Sequence, residues 1–277
     1  MVIIILFFEI IKSIVLGVVE GITEWLPVSS TGHMILVNEI INNKGTFTAS
    51  DLYLYVIQLG AILAVVTLYF HKLNPFSPSK SAEEKADTWK MWFKVLIACV
   101  PAAVIGLLLD DFMETFENWQ VVSATLIIYG VAFVIVERLN KKATVNDIDS
   151  MSYKTAFLIG MFQVLSIIPG TSRSGSTIIG AILIGCSRTV AAEFSFFLAI
   201  PVMFGVSLLK IVKSGLAMTG NEIAILLTGM VVAYIVSMLA IKFLMNYVRK
   251  HDFKGFGYYR IALGLLVIVF FTIQSFM

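Results

Sequence analysis

Glu20-Gly-Ile-Thr23-Glu24-Trp25-Leu-Pro27-Val-Ser29-Ser30-Thr31-Gly32-His33 sets two carboxylates, a row of hydroxyls and an imidazole within fourteen residues. On both sides of it the chain is almost wholly apolar. Glu20 and Glu24 are spaced i,i+4, so on a helix they share one face, with Thr23 beside them. Pro27 stops that helix. Ser29, Ser30 and Thr31 are N-cap residue types, and a fresh apolar helix, Met34 to Ile41, follows them. The stretch predicts a helix, a break and a second helix, with the polar groups at the break.

Composition places that break in a membrane. The chain has 277 residues, 58% hydrophobic and only 14% charged; soluble domains average about 25% charged residues. A net charge of +2 offers nothing for nucleic acid. Cys99 and Cys186 sit in apolar runs and form neither a zinc pattern nor a disulfide framework. The first residues lack a basic region and a small-residue cleavage site, so Val2 to Gly17 reads as a retained helix. Glu9 and Lys12 suit it to a bundle interior better than to lipid.

Six long apolar segments follow, roughly Leu52–Phe70, Trp92–Leu109, Val121–Val136, Ala192–Leu209, Ile223–Leu244 and Tyr259–Ile273. Each is near the ~20 residues that cross a ~30 Å hydrocarbon core. Between the third and fourth lies a second short pair, Tyr153–Ile168 and Gly175–Gly185, broken by Pro169-Gly170-Thr171-Ser172-Arg173-Ser174. A shift of 143 residues lays Gly17 on Gly160, Glu20 on Gln163, Thr23 on Ser166, Ser29 on Ser172 and Gly32 on Gly175. The order that follows each break is also shared. The reading is a single all-α polytopic membrane domain of two repeats, about 1–140 and 150–277. Each holds one re-entrant helix-loop-helix pair and three full transmembrane helices. An odd number of spans inverts the second copy, which gives inverted-topology repeats with broken helices meeting near the midplane. A half-helix of about ten residues rises ~15 Å, half the core.

Orientation follows from basic residues in loops. One set of loops carries Lys72, Lys80, Lys85, Lys90, Arg138, Lys141, Lys142, Lys154, Arg188, Arg249, Lys250 and Lys254. The opposite set carries Lys44, Lys210 and Lys213 with the acidic stretch Asp110, Asp111, Glu114 and Glu117. The first set is expected to be cytoplasmic. The first broken pair then opens to the outer face.

Arg173 is the sharpest single residue. A helix N-terminus offers free N–H groups and a positive dipole end, and the guanidinium matches phosphate bidentately. Thr171, Ser172, Arg173 and Ser174 at one break, with Ser29, Ser30 and Thr31 at the other, suit two adjacent phosphates. The plain alternative is that Arg173 neutralises a buried glutamate. Glu20 and Glu24 suit a divalent cation, Mg2+ or Ca2+, shared with phosphate oxygens. They also suit acid–base work or a structural role. His33 fits a general base, a proton donor or a nucleophile. For the reacting group, Ser30 activated by His33 or Glu24 leads, with direct attack by His33 or by metal-activated water as alternatives. His71 and His251 read as interfacial, and Trp25, Trp92 and Trp119 as core or belt aromatics. Gln58 and Glu193 read as cavity supports or helix caps.

The two motifs, Glu20 to His33 and Pro169 to Gly175, resemble those of the undecaprenyl-diphosphate phosphatase, or bacitracin-resistance protein, family. The run Glu193-Phe-Ser-Phe-Phe-Leu-Ala-Ile-Pro201 does too. Trp25 stands where phenylalanine is commoner. The resemblance implies a bacterial plasma-membrane hydrolase. Its substrate would be undecaprenyl diphosphate, converted to undecaprenyl phosphate, the lipid carrier of peptidoglycan synthesis. It also implies a divalent cation, a site open to the outer face, a homodimer, and roles for Glu20, Glu24, Ser30, His33 and Arg173. A transporter or flippase for an anionic lipid or phosphate is the rival, because inverted repeats and broken helices are general transporter features.

Overall fold

The computed structural model describes residues 2–116, 118–214 and 218–276. Of the acidic stretch, Glu117 lies outside the described residues. The described chain forms α1 (Val2–Thr23), α2 (Ser30–Ile40), α3 (Asp51–Leu68), α4 (Phe70–Leu73), α5 (Ala82–Glu114) and α6 (Trp119–Arg138). Then come α7 (Tyr153–Val164), α8 (Arg173–Ile184), α9 (Arg188–Ser214), α10 (Gly220–Val248) and α11 (Lys254–Ser275). No β-strand occurs among the described residues. Six helices, α3, α5, α6, α9, α10 and α11, are long and apolar enough to cross a membrane. These are the six segments expected from hydropathy.

Where boundaries differ from that expectation, capping explains it. The second span begins at Ala82 rather than Trp92. The Ser81 hydroxyl accepts from the Glu84 N–H, and the Glu84 carboxylate accepts from the Ser81 N–H. That capping box starts a helix within a charged run that hydropathy passes over. The same device, Thr219 with Glu222, starts α10. The helix after the first break begins at Ser30, ahead of its apolar run. Gly185 ends α8 in the left-handed conformation, φ 109°.

Packing follows a regular scheme. α1 lies along α10 and α7 along α5; α3 packs on α10 and α9 on α5. α3 also packs on α9, and α6 on α11. Small residues make the close approaches. A Cβ on Gly17 would stand 2.7 Å from the Gly229 carbonyl oxygen, and one on Gly160 would meet the backbone at Ala98. The Ser13 hydroxyl donates to the Ile225 carbonyl and that of Ser237 to the Gly21 carbonyl, so α1 and α10 run side by side in one direction.

Ion pairs mark the two ends of the bundle. At one end Lys72 meets Glu193 at 3.0 Å and Arg188 meets Glu137 at 2.6 Å. Glu137 also accepts from the Phe253 N–H. At the other end Lys210 meets Asp51, while Lys44 and Gln274 both reach Glu39. The loops thus divide into the two sets expected. Exposed apolar side chains such as Leu107, Leu108 and Leu239 cover the sides. The main core gathers Trp25, Phe133, Phe194, Phe196, Phe197 and Phe253.

Candidate active site

The two breaks are built alike. α1 ends at Thr23, and the chain turns through Pro27 to Ser29, which caps α2 by accepting from the Gly32 N–H at 3.3 Å. α7 gives way to a 3-10 turn at Leu165–Ile167, then Pro169 and Gly170. Ser172 caps α8 by accepting from the Gly175 N–H at 3.2 Å. Both serines have positive φ, 73° and 74°. Among the described non-glycine residues only Asn42 and Asn140 share that sign, and asparagine tolerates it. Strain of this kind costs about 1–3 kcal/mol and collects at functional sites.

The breaks meet. The Ser174 hydroxyl donates to the Glu24 carbonyl at 3.2 Å, beside the Leu26 carbonyl at 3.4 Å. Arg173, the first residue of α8, places Nη2 3.0 Å from Glu24 Oε1. Its Nη1 donates to the Ser195 carbonyl at 2.7 Å. The Ser195 hydroxyl lies 2.7 Å from that of Thr177. The guanidinium stands 6.0 Å from the Trp25 ring, and Trp25 packs edge-on against Phe196. The other oxygen of Glu24 accepts from the Ser30 hydroxyl at 3.0 Å. Ser30, Glu24 and Arg173 therefore form one row across the two helix N-termini. The Glu24 and Arg173 side chains are each about 10% exposed.

Around the row lie polar groups without partners. Among the described residues the buried, unpartnered side-chain atoms belong to Glu20, Trp25, Gln163, Thr171, Arg173 and Arg260. All six residues lie in the breaks, next to them or, for Arg260, bonded to them. Orphaned donors and acceptors gathered at one place fit a polar ligand.

Residues 13–266 match the family described as bacitracin resistance protein BacA. The chain belongs to this family. It is 57% identical over 269 residues to the undecaprenyl-diphosphatase of Enterococcus faecalis, covering 95% of this chain and 98% of that protein. It is 56% identical over 271 residues to that of Desulfitobacterium hafniense, covering 96% and 98%. For the undecaprenyl-diphosphatase of Acetivibrio thermocellus the identity is 58% over 266 residues, covering 95% and 98%.

His33 stands apart from the row. Its Nδ1 lies 2.8 Å from the Ser29 carbonyl and so carries the hydrogen. Its Nε2 then accepts from the Tyr259 hydroxyl at 2.7 Å, and the rings stack at 5.6 Å, 8° from parallel. No hydrogen bond joins Ser30 to His33 among the described residues, although their spacing puts them on one helix face. The ring is turned towards α11 and the hydroxyl towards Glu24. Thr31 is half-buried on the first turn of α2, and Thr171 is fully buried.

Hydropathy missed three contributors. Ser195 holds Arg173; Tyr259 holds His33; Arg260 donates to the Pro27, Gly170 and Thr171 carbonyls. An arginine opening an apolar span is the one local signal available for them. Glu193 serves neither cavity nor cap, because it pairs with Lys72 at the end of the bundle. His251 stacks on Tyr247 at a helix end, and His71 is exposed.

The carboxylates set a limit on any metal site. No group of three or more His, Cys, Asp or Glu able to hold a metal occurs among the described residues. Glu20 keeps one carboxylate oxygen unpartnered one turn from Glu24. Two carboxylates with phosphate oxygens completing the shell match how Mg2+ is usually held.

Proposed function

We propose that the chain is an integral-membrane undecaprenyl-diphosphatase. It hydrolyses undecaprenyl diphosphate to undecaprenyl phosphate and inorganic phosphate, recycles the lipid carrier for peptidoglycan synthesis and confers bacitracin resistance. The observation that carries the mechanism is the row Ser30–Glu24–Arg173 between two helix N-termini.

The incoming diphosphate competes with Glu24 for Arg173. Guanidinium and phosphate match bidentately, and the α8 N-terminus adds N–H donors. Released from Arg173, Glu24 keeps its bond to Ser30 and takes the hydroxyl proton. The Ser30 oxygen attacks the terminal phosphorus and undecaprenyl phosphate leaves. Arg173 and the N–H groups stabilise the charge on the transferring phosphoryl group. Glu24 passes the Ser30 proton to the phosphate oxygen of the departing undecaprenyl phosphate and is a free base again. Water then attacks the phosphoserine, and Glu24 takes a proton from it. That proton goes to the Ser30 oxygen as the phosphorus–oxygen bond breaks and inorganic phosphate leaves. Thr31 and Thr171 supply further donors to the phosphates. Ser174, expected among them, instead commits its hydroxyl hydrogen to the Glu24 carbonyl and ties the breaks together. Ser29 and Ser172 do so with their hydroxyl hydrogens while their oxygens cap the helices. A Mg2+ or Ca2+ ion held by Glu20 and Glu24 would neutralise phosphate oxygens.

The architecture we propose is a pair of inverted repeats, 1–140 and 150–277, each with one re-entrant pair. Support comes from the packing. Matching α1 with α7, α3 with α9, α5 with α10 and α6 with α11 turns the packing of α1 on α10 into that of α7 on α5. The same matching turns α3 on α10 into α9 on α5. With the basic loops cytoplasmic in a bacterial plasma membrane, the first pair opens the site to the outer face.

Phosphate release from undecaprenyl diphosphate by the purified protein tests the reading. Release that disappears in Ser30→Ala and Arg173→Ala supports it. A wild-type protein that binds the lipid but releases no phosphate sinks it and leaves a transporter or flippase.

A further inference from the structure

Arg260 is fully buried in α11, yet no carboxylate lies within ion-pair distance among the described residues. Its guanidinium instead donates to three carbonyl oxygens: Pro27 at 3.3 Å, and Gly170 and Thr171 at 3.0 Å each. It also lies 5.5 Å from the Tyr129 ring. Pro27 sits two residues before the strained cap Ser29, and Thr171 immediately before the strained cap Ser172. One rigid fork therefore grips both breaks just ahead of both helix N-termini. A Cβ on Gly175 would come within 3.3 Å of its Nη1, so the group rests against the start of α8.

Satisfying buried carbonyls does not by itself call for a charge. A neutral amide donates to carbonyls at a far smaller desolvation cost. The fork adds reach across both breaks, which a shorter amide lacks. The charge adds a positive potential that no neighbouring carboxylate cancels.

We infer that Arg260 is a positioning residue that fixes the separation of the two helix N-termini and so makes the site prefer a diphosphate to a single phosphate. The inference rests on the proposed function. A single phosphate uses one N-terminus; a diphosphate needs both at a set spacing. Loosening the spacing weakens the two-ended ligand more than the one-ended one.

The test is titration calorimetry on purified wild type, Arg260→Gln and Arg260→Lys with methylenediphosphonate and with orthophosphate. Wild type is expected to bind methylenediphosphonate at least about tenfold more tightly than orthophosphate. Arg260→Gln is expected to bring the two within about threefold. Arg260→Lys keeps the charge but cannot bridge both breaks, and should fall between. A loss of folded protein lowers the number of sites and leaves this affinity ratio unchanged. Arg173→Lys, by contrast, should weaken both ligands together. A wild-type ratio in either folded variant overturns the role of Arg260; if Arg260→Gln fails to fold, Arg260→Lys decides. A wild-type protein that binds neither ligand removes the proposed site and this inference with it.

Discussion

Ser29 and Ser172 stand 143 residues apart and hold the same rare backbone conformation, φ 73° and 74°, each capping a helix through the N–H of a glycine three residues on. The side chain supplies the cap and the Cβ carries the strain, so the two contributions separate by substitution. At Ser172, alanine loses a cap worth about 1 kcal/mol and keeps the Cβ, whereas glycine costs only a few tenths for the cap and relieves φ. Thermal unfolding in detergent should therefore place Ser172→Gly level with or above wild type and Ser172→Ala last. An alanine variant as stable as the glycine one would show that the Cβ carries no strain there.

Arg173 makes two bonds at once, to the Glu24 carboxylate and the Ser195 carbonyl. Lysine keeps the charge but cannot hold both directions. Arg173→Lys should lower kcat by roughly 100-fold or more, as a misplaced catalytic group does, while the protein elutes as a folded species. Turnover near wild type would reject the clamp and leave Arg173 as a counter-ion to Glu24.

Both breaks were legible in the sequence, because their signals are local: Pro27 or Pro169 to stop a helix and Ser29 or Ser172 to start the next. The ion pair of Arg173 with Glu24 was only one of two readings, since nothing local chooses between a ligand and a carboxylate 149 residues away. Arg260 shows in the sequence only as an arginine opening an apolar span, and its role was not legible. Its acceptors, Pro27, Gly170 and Thr171, carry no side-chain signal, and they lie 233, 90 and 89 residues from it. Glu193 reads as a cavity support or a helix cap because it opens an apolar run, and only the fold brings Lys72 to it.

Glu20 and Glu24 bear on the metal. If they share a Mg2+ or Ca2+ ion with the phosphates, excess EDTA should abolish phosphate release and either cation should restore it. Glu20→Gln should raise the cation concentration needed for half-maximal activity. Full turnover in excess chelator would leave the carboxylates with proton transfer and the pairing of Arg173.

Lys44 and Lys142 lie in the two opposite sets of loops, and Lys44 is 75% exposed on its side chain. With Cys99 and Cys186 first replaced, a cysteine at position 44 should react with an impermeant thiol reagent added to intact cells. One at position 142 should react only after the membrane is opened. The reverse pattern would overturn the outward-facing site along with the orientation.

The nucleophile is the step on which sequence spacing and structure differ most. Spacing sets Ser30 and His33 on one helix face. In the fold the Ser30 hydroxyl donates to Glu24 at 3.0 Å, while His33 is occupied at both nitrogens by the Ser29 carbonyl and Tyr259. Ser30 thus has a base in contact, and His33 would have to give up Tyr259 before it attacked. Quenching a turnover with diphosphate labelled in its terminal phosphate, then locating the label by mass spectrometry, separates the routes. Label is expected on Ser30. Ser30→Ala should lose essentially all turnover, whereas Tyr259→Phe, which frees the imidazole Nε2, should not move the label. Label on His33, stronger in Tyr259→Phe, would reverse the assignment and make Tyr259 a restraint on the true nucleophile. No label on either residue, with Ser30→Ala still turning over, would point to attack by water.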